Sequence, residues 1–150
     1  MNKVYFGRPF TGCEYKEVAD YYLDIRIKCS TRGIKPIIPF TLTESLNEEG
    51  NIPDDVEAID TPELSDSAIV SRDKFLLLNS DMLVMDFTMD FNMPVGCLYE
   101  LAWAHDWNKH TIVIMSNDNK MNRLFVRECA DVVVETLVQA LEYIEELVDV

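Results

Sequence analysis

The chain has 150 residues, 48% of them hydrophobic, which suits one domain (1–150) with a real core rather than a disordered chain. Its 27 acids against 13 bases leave a formal charge of −14, which repels phosphate backbones and anionic lipid and so argues against nucleic-acid and membrane partners. No apolar run approaches the roughly 20 residues of a membrane span, and Met1–Gly7 has no signal-peptide core, so a cytoplasmic location is expected.

The elements follow in alternation. Lys3–Phe6 is a short β-branched and aromatic strand, and Gly7-Arg-Pro-Phe-Thr-Gly12 is a loop after it. From Glu14 to about Ser30, Val18, Tyr21, Tyr22, Ile25 and Ile27 recur at helical spacing, and Gly33 ends the helix. Lys35–Phe40 reads as a second strand closed by Pro39. Residues 41–66 are acidic and weakly periodic, the mark of a functional loop or a mobile excursion. Ser65 or Asp66 caps a helix to about Asn79. Met82–Phe87 is a third strand, a helix runs from Gly96 to about Trp107, and Thr111–Met115 is a fourth strand. Asp131–Glu135 is a fifth, and Thr136 to about Val148 is a final helix. Such alternation predicts an α/β fold: a parallel sheet of about five strands with helices on both faces.

Chemistry concentrates after the third strand. Asp86 ends that strand, and Glu100 sits in the first turns of the following helix, where open α/β sheets bind ligands. Leu98, Tyr99, Leu101 and Trp103 surround Glu100 in sequence, and an apolar setting raises a carboxyl pKa or demands specific partners. The plain alternative is a favourable charge near a helix N-terminus. Cys97 is either a catalytic thiol or a small residue packing at a helix start. Tyr5, Arg8 and Phe10 either line a small aromatic-walled pocket or belong to an ordinary turn. The four cysteines lack metal-site spacing, and His105 and His110, five apart, do not share a helical face, so no metal site is expected. Neither a dinucleotide fingerprint, nor a P-loop, nor a Gly-x-Ser-x-Gly elbow is present.

Three segments together resemble the nucleoside 2-deoxyribosyltransferase family, whose members have a flavodoxin-like (Rossmann-like) fold. They are Lys3-Val-Tyr-Phe-Gly-Arg-Pro-Phe10; Arg72-Asp73 with Asn79–Asp86; and Gly96–Ala104 with Lys109 and Thr111–Met115. The resemblance implies Glu100 as nucleophile on the anomeric carbon of deoxyribose and Asp73 as the acid that helps hold and polarise the site. It implies Tyr5 as the aromatic residue near the nucleophile, Gly96 as a point of close backbone approach, and Asp86 as a sugar or base contact. The family's aspartate six residues before the nucleophile is Pro94 here, and Asp90 or Asn92 is the available substitute. Gly7 and Arg8 belong to the loop that, in related enzymes hydrolysing deoxynucleoside 5′-monophosphates, holds the phosphate. The implied partners are a nucleoside or nucleotide, a free nucleobase and a second copy of the chain, with no cofactor. Leu137, Leu141, Ile144 and Leu147 on the last helix serve either such an oligomer interface or the core. Transfer to a second base, hydrolysis of a monophosphate and a catalytically silent nucleotide-binding module are the three readings.

Overall fold

A computed structural model describes residues 2–40, 52, 62, 65–92 and 94–149. Among these residues, five strands alternate with five helices. They run in the order β1 (Lys3–Gly7), α1 (Tyr15–Ser30), β2 (Lys35–Ile37), α2 (Asp66–Leu78), β3 (Met82–Asp86), α3 (Val95–Asp106), β4 (His110–Ile114), α4 (Leu124–Cys129), β5 (Val132–Val134) and α5 (Leu137–Val148). The sheet order is β2-β1-β3-β4-β5, and every neighbouring pair is parallel. This is the flavodoxin-like α/β fold, with helices on both faces.

Period-two alternation divides the core into two layers. Val4, Phe6, Met82, Val84, Ile112 and Ile114 face one way and pack with Val18, Tyr22 and Ile25 of α1 and Ala140, Leu141 and Ile144 of α5. Tyr5, Leu83, Met85 and Val113 face the other way and pack with Leu77 of α2, Leu101 and Ala104 of α3 and Val126 of α4. The central strands read as continuous apolar runs because both faces are covered.

Local signals hold the element ends. Ser65 caps α2, its side chain accepting from the Ala68 backbone amide at 3.2 Å. Gly33, at φ +65, lets the chain leave α1 through the left-handed region. Among the described residues, no helix is long and apolar enough to cross a membrane.

The structure adjusts several expectations. β2 stops at Ile37, three residues short of the expected end. It is an edge strand, which tolerates Pro36, and Pro39 cannot extend the ladder. α4 is new: six residues with one buried side chain, Val126, carry too little periodicity to show in the sequence. The stripe on α5 is mostly core, since Leu141 and Ile144 are fully buried and Leu137 packs against them. Most of the acidic 41–66 stretch lies outside the described residues. Its Ile52 is buried and exchanges backbone hydrogen bonds with Gly12 (2.8 Å) and Cys13 (2.7 Å) of the first loop.

Candidate active site

In this strand order the chain turns from one side of the sheet to the other between β1 and β3. Ligands of open α/β sheets sit beyond the strand ends at such a switch point. Tyr5 and Gly7 reach it from β1, Met85 and Asp86 from β3, and α3 brings Glu100 over the β1 end.

Glu100 is buried, and Oε1 accepts a hydrogen bond from the Tyr5 hydroxyl at 2.8 Å. Oε2 lies 3.1 Å from where a Cβ on Gly7 would stand, and the Met85 methyl lies 2.7 Å from it. Glycine at position 7 is therefore what lets the carboxylate and Met85 close over the strand end. Burial pushes the Glu100 carboxyl up to about 8, and the Asp73 charge adds to the rise. The Tyr5 hydroxyl opposes it by donating to the ionised form. Asp73, on α2, is also raised by burial, against the pull of Arg72. Arg72 holds it at 2.9 Å through Nε and 2.8 Å through Nη2. Both carboxyls share one field and hold their protons more tightly than free carboxyls do, so Glu100 must lose its proton before it can attack.

The apolar setting of Glu100 is real, but its source differs from the expectation. Leu98 and Tyr99 are exposed and Trp103 is half-buried, because they lie on the outer side of α3. The dry walls come from the strands. Asp86 has the parity of Val84, so it faces α1 rather than the Glu100 side. It accepts from the Tyr21 hydroxyl at 2.7 Å and from Thr88 at 2.9 Å (backbone) and 2.6 Å (hydroxyl). Its role in this geometry is to fix Tyr21 and the loop after β3.

Arg8 is buried at the mouth of β1, its guanidinium 4.9 Å from the centre of the Tyr21 ring. Nε donates to the Pro9 carbonyl at 3.0 Å, and Nη2 lies 3.6 Å from the exposed Glu17. Among the described residues, Nη1 has no hydrogen-bond partner, nor has the buried hydroxyl of Tyr22. The Tyr22 hydroxyl lies in the field of Cys97, Glu100, Arg8 and Asp73. Two buried donors without acceptors are costly unless a ligand supplies one. The periodicity of α1 presented Tyr21 and Tyr22 as core positions. The missed signal was that two phenols on an apolar face need hydroxyl partners.

The remaining candidates divide. Phe10 packs edge-on against Phe40 at 5.6 Å and belongs to the wall behind the loop. Asp90 and Asn92 are exposed after β3, and Asp90 touches the first loop only through its carbonyl, 3.9 Å from the Cys13 sulfur. A Cβ on Gly96 would meet nothing within 4 Å, so no described neighbour fills the space where a side chain would stand. Burial and the adjacent Glu100 raise the Cys97 thiol well above its ordinary value, which keeps it protonated and favours the packing role.

A solved structure with the same architecture is the CMP N-glycosidase BcmB of Clostridium botulinum. It aligns with a TM-score of 0.58 over 97% of this chain and 99% of that chain, at 10% sequence identity. At this identity the match establishes the shared fold. No protein-family model and no curated protein sequence matches the chain.

Proposed function

We propose that this single-domain chain cleaves the N-glycosidic bond of a nucleoside or nucleotide, with Glu100 as nucleophile. The observation that carries this reading is a dry carboxyl at the β1/β3 switch point, fixed on one oxygen by Tyr5 and bounded on the other by Gly7. Cleavage builds oxocarbenium character at the anomeric carbon. Burial keeps that carboxyl protonated up to about pH 8, and once it ionises the desolvated carboxylate stabilises the charge and forms the C–O bond of a glycosyl-enzyme. The bond to the base breaks, its electron pair stays on the base nitrogen, and the departing base takes up a proton from solvent, matching the one that Glu100 gave up on ionising. Asp73, also raised by burial, acts in the same field to hold and polarise the site. A second base then attacks the anomeric carbon, the bond to Glu100 breaks with its electron pair returning to the carboxylate, and loss of the base's N–H proton leaves a nucleoside with net retention; water attacking in the same way, with loss of one proton, gives the free sugar. The sequence resemblance favours transfer of deoxyribose.

Hydrolysis of a 5′-monophosphate is the second reading, and Arg8 supports it. A buried guanidinium whose Nη1 has no partner among the described residues, at the site mouth, suits a phosphate oxygen. The fold neighbour, by its name, acts on a nucleoside monophosphate.

The test is a chromatographic assay of purified protein and Glu100→Ala. Both are offered deoxynucleosides and nucleoside monophosphates, with and without free adenine or cytosine. New nucleosides that appear only with an acceptor base establish transfer. Free base released from monophosphates alone establishes the hydrolase. No turnover, or turnover that survives Glu100→Ala, overturns the mechanism and leaves a binding module.

A further inference from the structure

The proposed chemistry makes no use of the Tyr22 hydroxyl. The residue is 3% exposed, and among the described residues its oxygen has no hydrogen-bond partner. The ring is held in place. It stacks on Phe40 at 5.9 Å and meets Tyr21 edge-on at 5.2 Å, so the hydroxyl has little freedom to search for an acceptor. Its neighbours place it inside the site. It lies in the field of Cys97, Glu100, Arg8 and Asp73, and it shares a field with the hydroxyls of Tyr5 and Tyr21. For packing alone a phenylalanine would serve better, because an unpaired buried donor costs free energy. A donor fixed among the reacting groups and left open is filled when a ligand brings the acceptor.

The chemistry of the sugar selects that acceptor. The ring oxygen takes up positive charge as the bond to the base breaks, so it loses its value as an acceptor in the transition state. The 2′-hydroxyl is missing from deoxyribose. The 5′ oxygen carries a proton in a nucleoside and a phosphate in a nucleotide. The 3′-hydroxyl is common to them all, and its oxygen accepts while its own proton remains free to donate. We infer that the Tyr22 hydroxyl donates to the 3′-hydroxyl oxygen of the bound sugar and makes the site selective for substrates that carry it. A site built around such a bond rejects the analogue that lacks the hydroxyl, since the buried donor then stays unpaired. The inference rests on the N-glycosidic reading, and it holds for transfer and hydrolysis alike because both begin with the same bound sugar.

The test is kcat/KM for matched substrates in the wild type, Tyr22→Phe and Tyr143→Phe. The probes are adenine and cytosine nucleosides and their 5′-monophosphates, each beside its 3′-deoxy analogue. The wild type is expected to prefer the 3′-hydroxyl member by at least about tenfold. Tyr22→Phe brings that preference to within about threefold, by losing rate on the hydroxyl member alone. No bond is lost in the free protein, so Tyr22→Phe keeps or raises the melting temperature. Tyr143→Phe is the opposite case. Its hydroxyl is hydrogen-bonded to His110 Nε2 at 2.9 Å, far from the site at the other end of β4, so its loss lowers the melting temperature and leaves the selectivity unchanged. Turnover whose selectivity Tyr22→Phe does not move overturns this inference alone and leaves the hydroxyl to a buried water. A lower melting temperature in Tyr22→Phe overturns it too, since the hydroxyl then has a partner in the free protein. No turnover of any probe overturns the N-glycosidic reading, and this inference falls with it.

Discussion

Helices α5 and α3 lie on opposite faces of one sheet and obey opposite rules. α5 opens with a capping box between Thr136 and Gln139, buries Ala140, Leu141 and Ile144, and turns Glu142 and Glu146 to water. α3 opens after Pro94 with no side-chain cap, buries a carboxyl and exposes Leu98 and Tyr99. The first helix is built for stability. The second breaks three local rules within a dozen residues, and such breaks concentrate where function or a partner imposes them. The contrast predicts that substitutions on α3 and around it change turnover, whereas those on α5 change only stability.

The largest effect is expected at Glu100. Glu100→Ala should lower kcat by at least about 10³-fold if the carboxylate is the nucleophile. The isosteric Glu100→Gln should also reveal what burial costs. Burial pushes the native carboxyl up to about 8, against an ordinary glutamate value of 4.5. Between those values the native state holds a proton that the unfolded chain has released. Wild-type stability therefore falls as pH rises across that window, by on the order of a few kcal/mol. Melting curves from pH 4.5 to 8.5 should show this slope in the wild type and a flatter line in Glu100→Gln. Parallel lines would place the carboxyl in a wetter setting than the structure gives it.

The counterpart on α5 is Leu141→Ala. Removing a fully buried leucine costs about 2–5 kcal/mol, read as a lower denaturation midpoint. The value of kcat/KM below the new melting temperature should match wild type. A loss of turnover in the folded variant would blur the division between the two helices.

Tyr5→Phe and Asp73→Asn sharpen the same division from inside the site, because they move the nucleophile's titration in opposite directions. Tyr5 donates to Glu100, so its loss disfavours the carboxylate. The alkaline-rising limb of kcat/KM should shift to higher pH, with a loss of about 10- to 100-fold for one hydrogen bond to a charged group. Asp73 raises the Glu100 titration by repulsion, so Asp73→Asn should shift the same limb to lower pH. Limbs that shift together, or not at all, would show that the measured pH dependence belongs to another group.

Much of this was legible in the chain. The apolar runs Met82–Met85 and Thr111–Met115 and the alternation of elements led to a parallel sheet, because burial on both faces leaves the strands few polar positions. Glu100 and Tyr5 were legible through the segments that resemble a family, and the fold brings them within 2.8 Å across 95 residues of sequence. What stayed hidden was tertiary. Glu100 looked dry because of Leu98 and Tyr99, whereas a helix turns adjacent residues about 100° apart and its dry walls come from β1 and β3. Tyr21 and Tyr22 looked like core, since periodicity reports burial and not the fate of a hydroxyl. Asp86 and Glu100 looked like one unit, but strand parity turns Asp86 to the α1 side.

The smallest effect expected is at the start of α5. The Thr136 side chain accepts from the Gln139 amide at 3.2 Å, and the Gln139 side chain accepts from the Thr136 amide at 3.1 Å. Thr136→Ala removes half of this box and should cost about 1 kcal/mol. Chemical denaturation should show a lower midpoint at an unchanged slope, since the native and unfolded surfaces are nearly the same. The reaction should not register the change, because Thr136 follows β5 at the sheet edge, two strands beyond β3. An altered slope would mean that α5 frays separately from the rest, and the helix that follows every local rule would then owe its stability to its cap more than to the leucine and isoleucine beneath it.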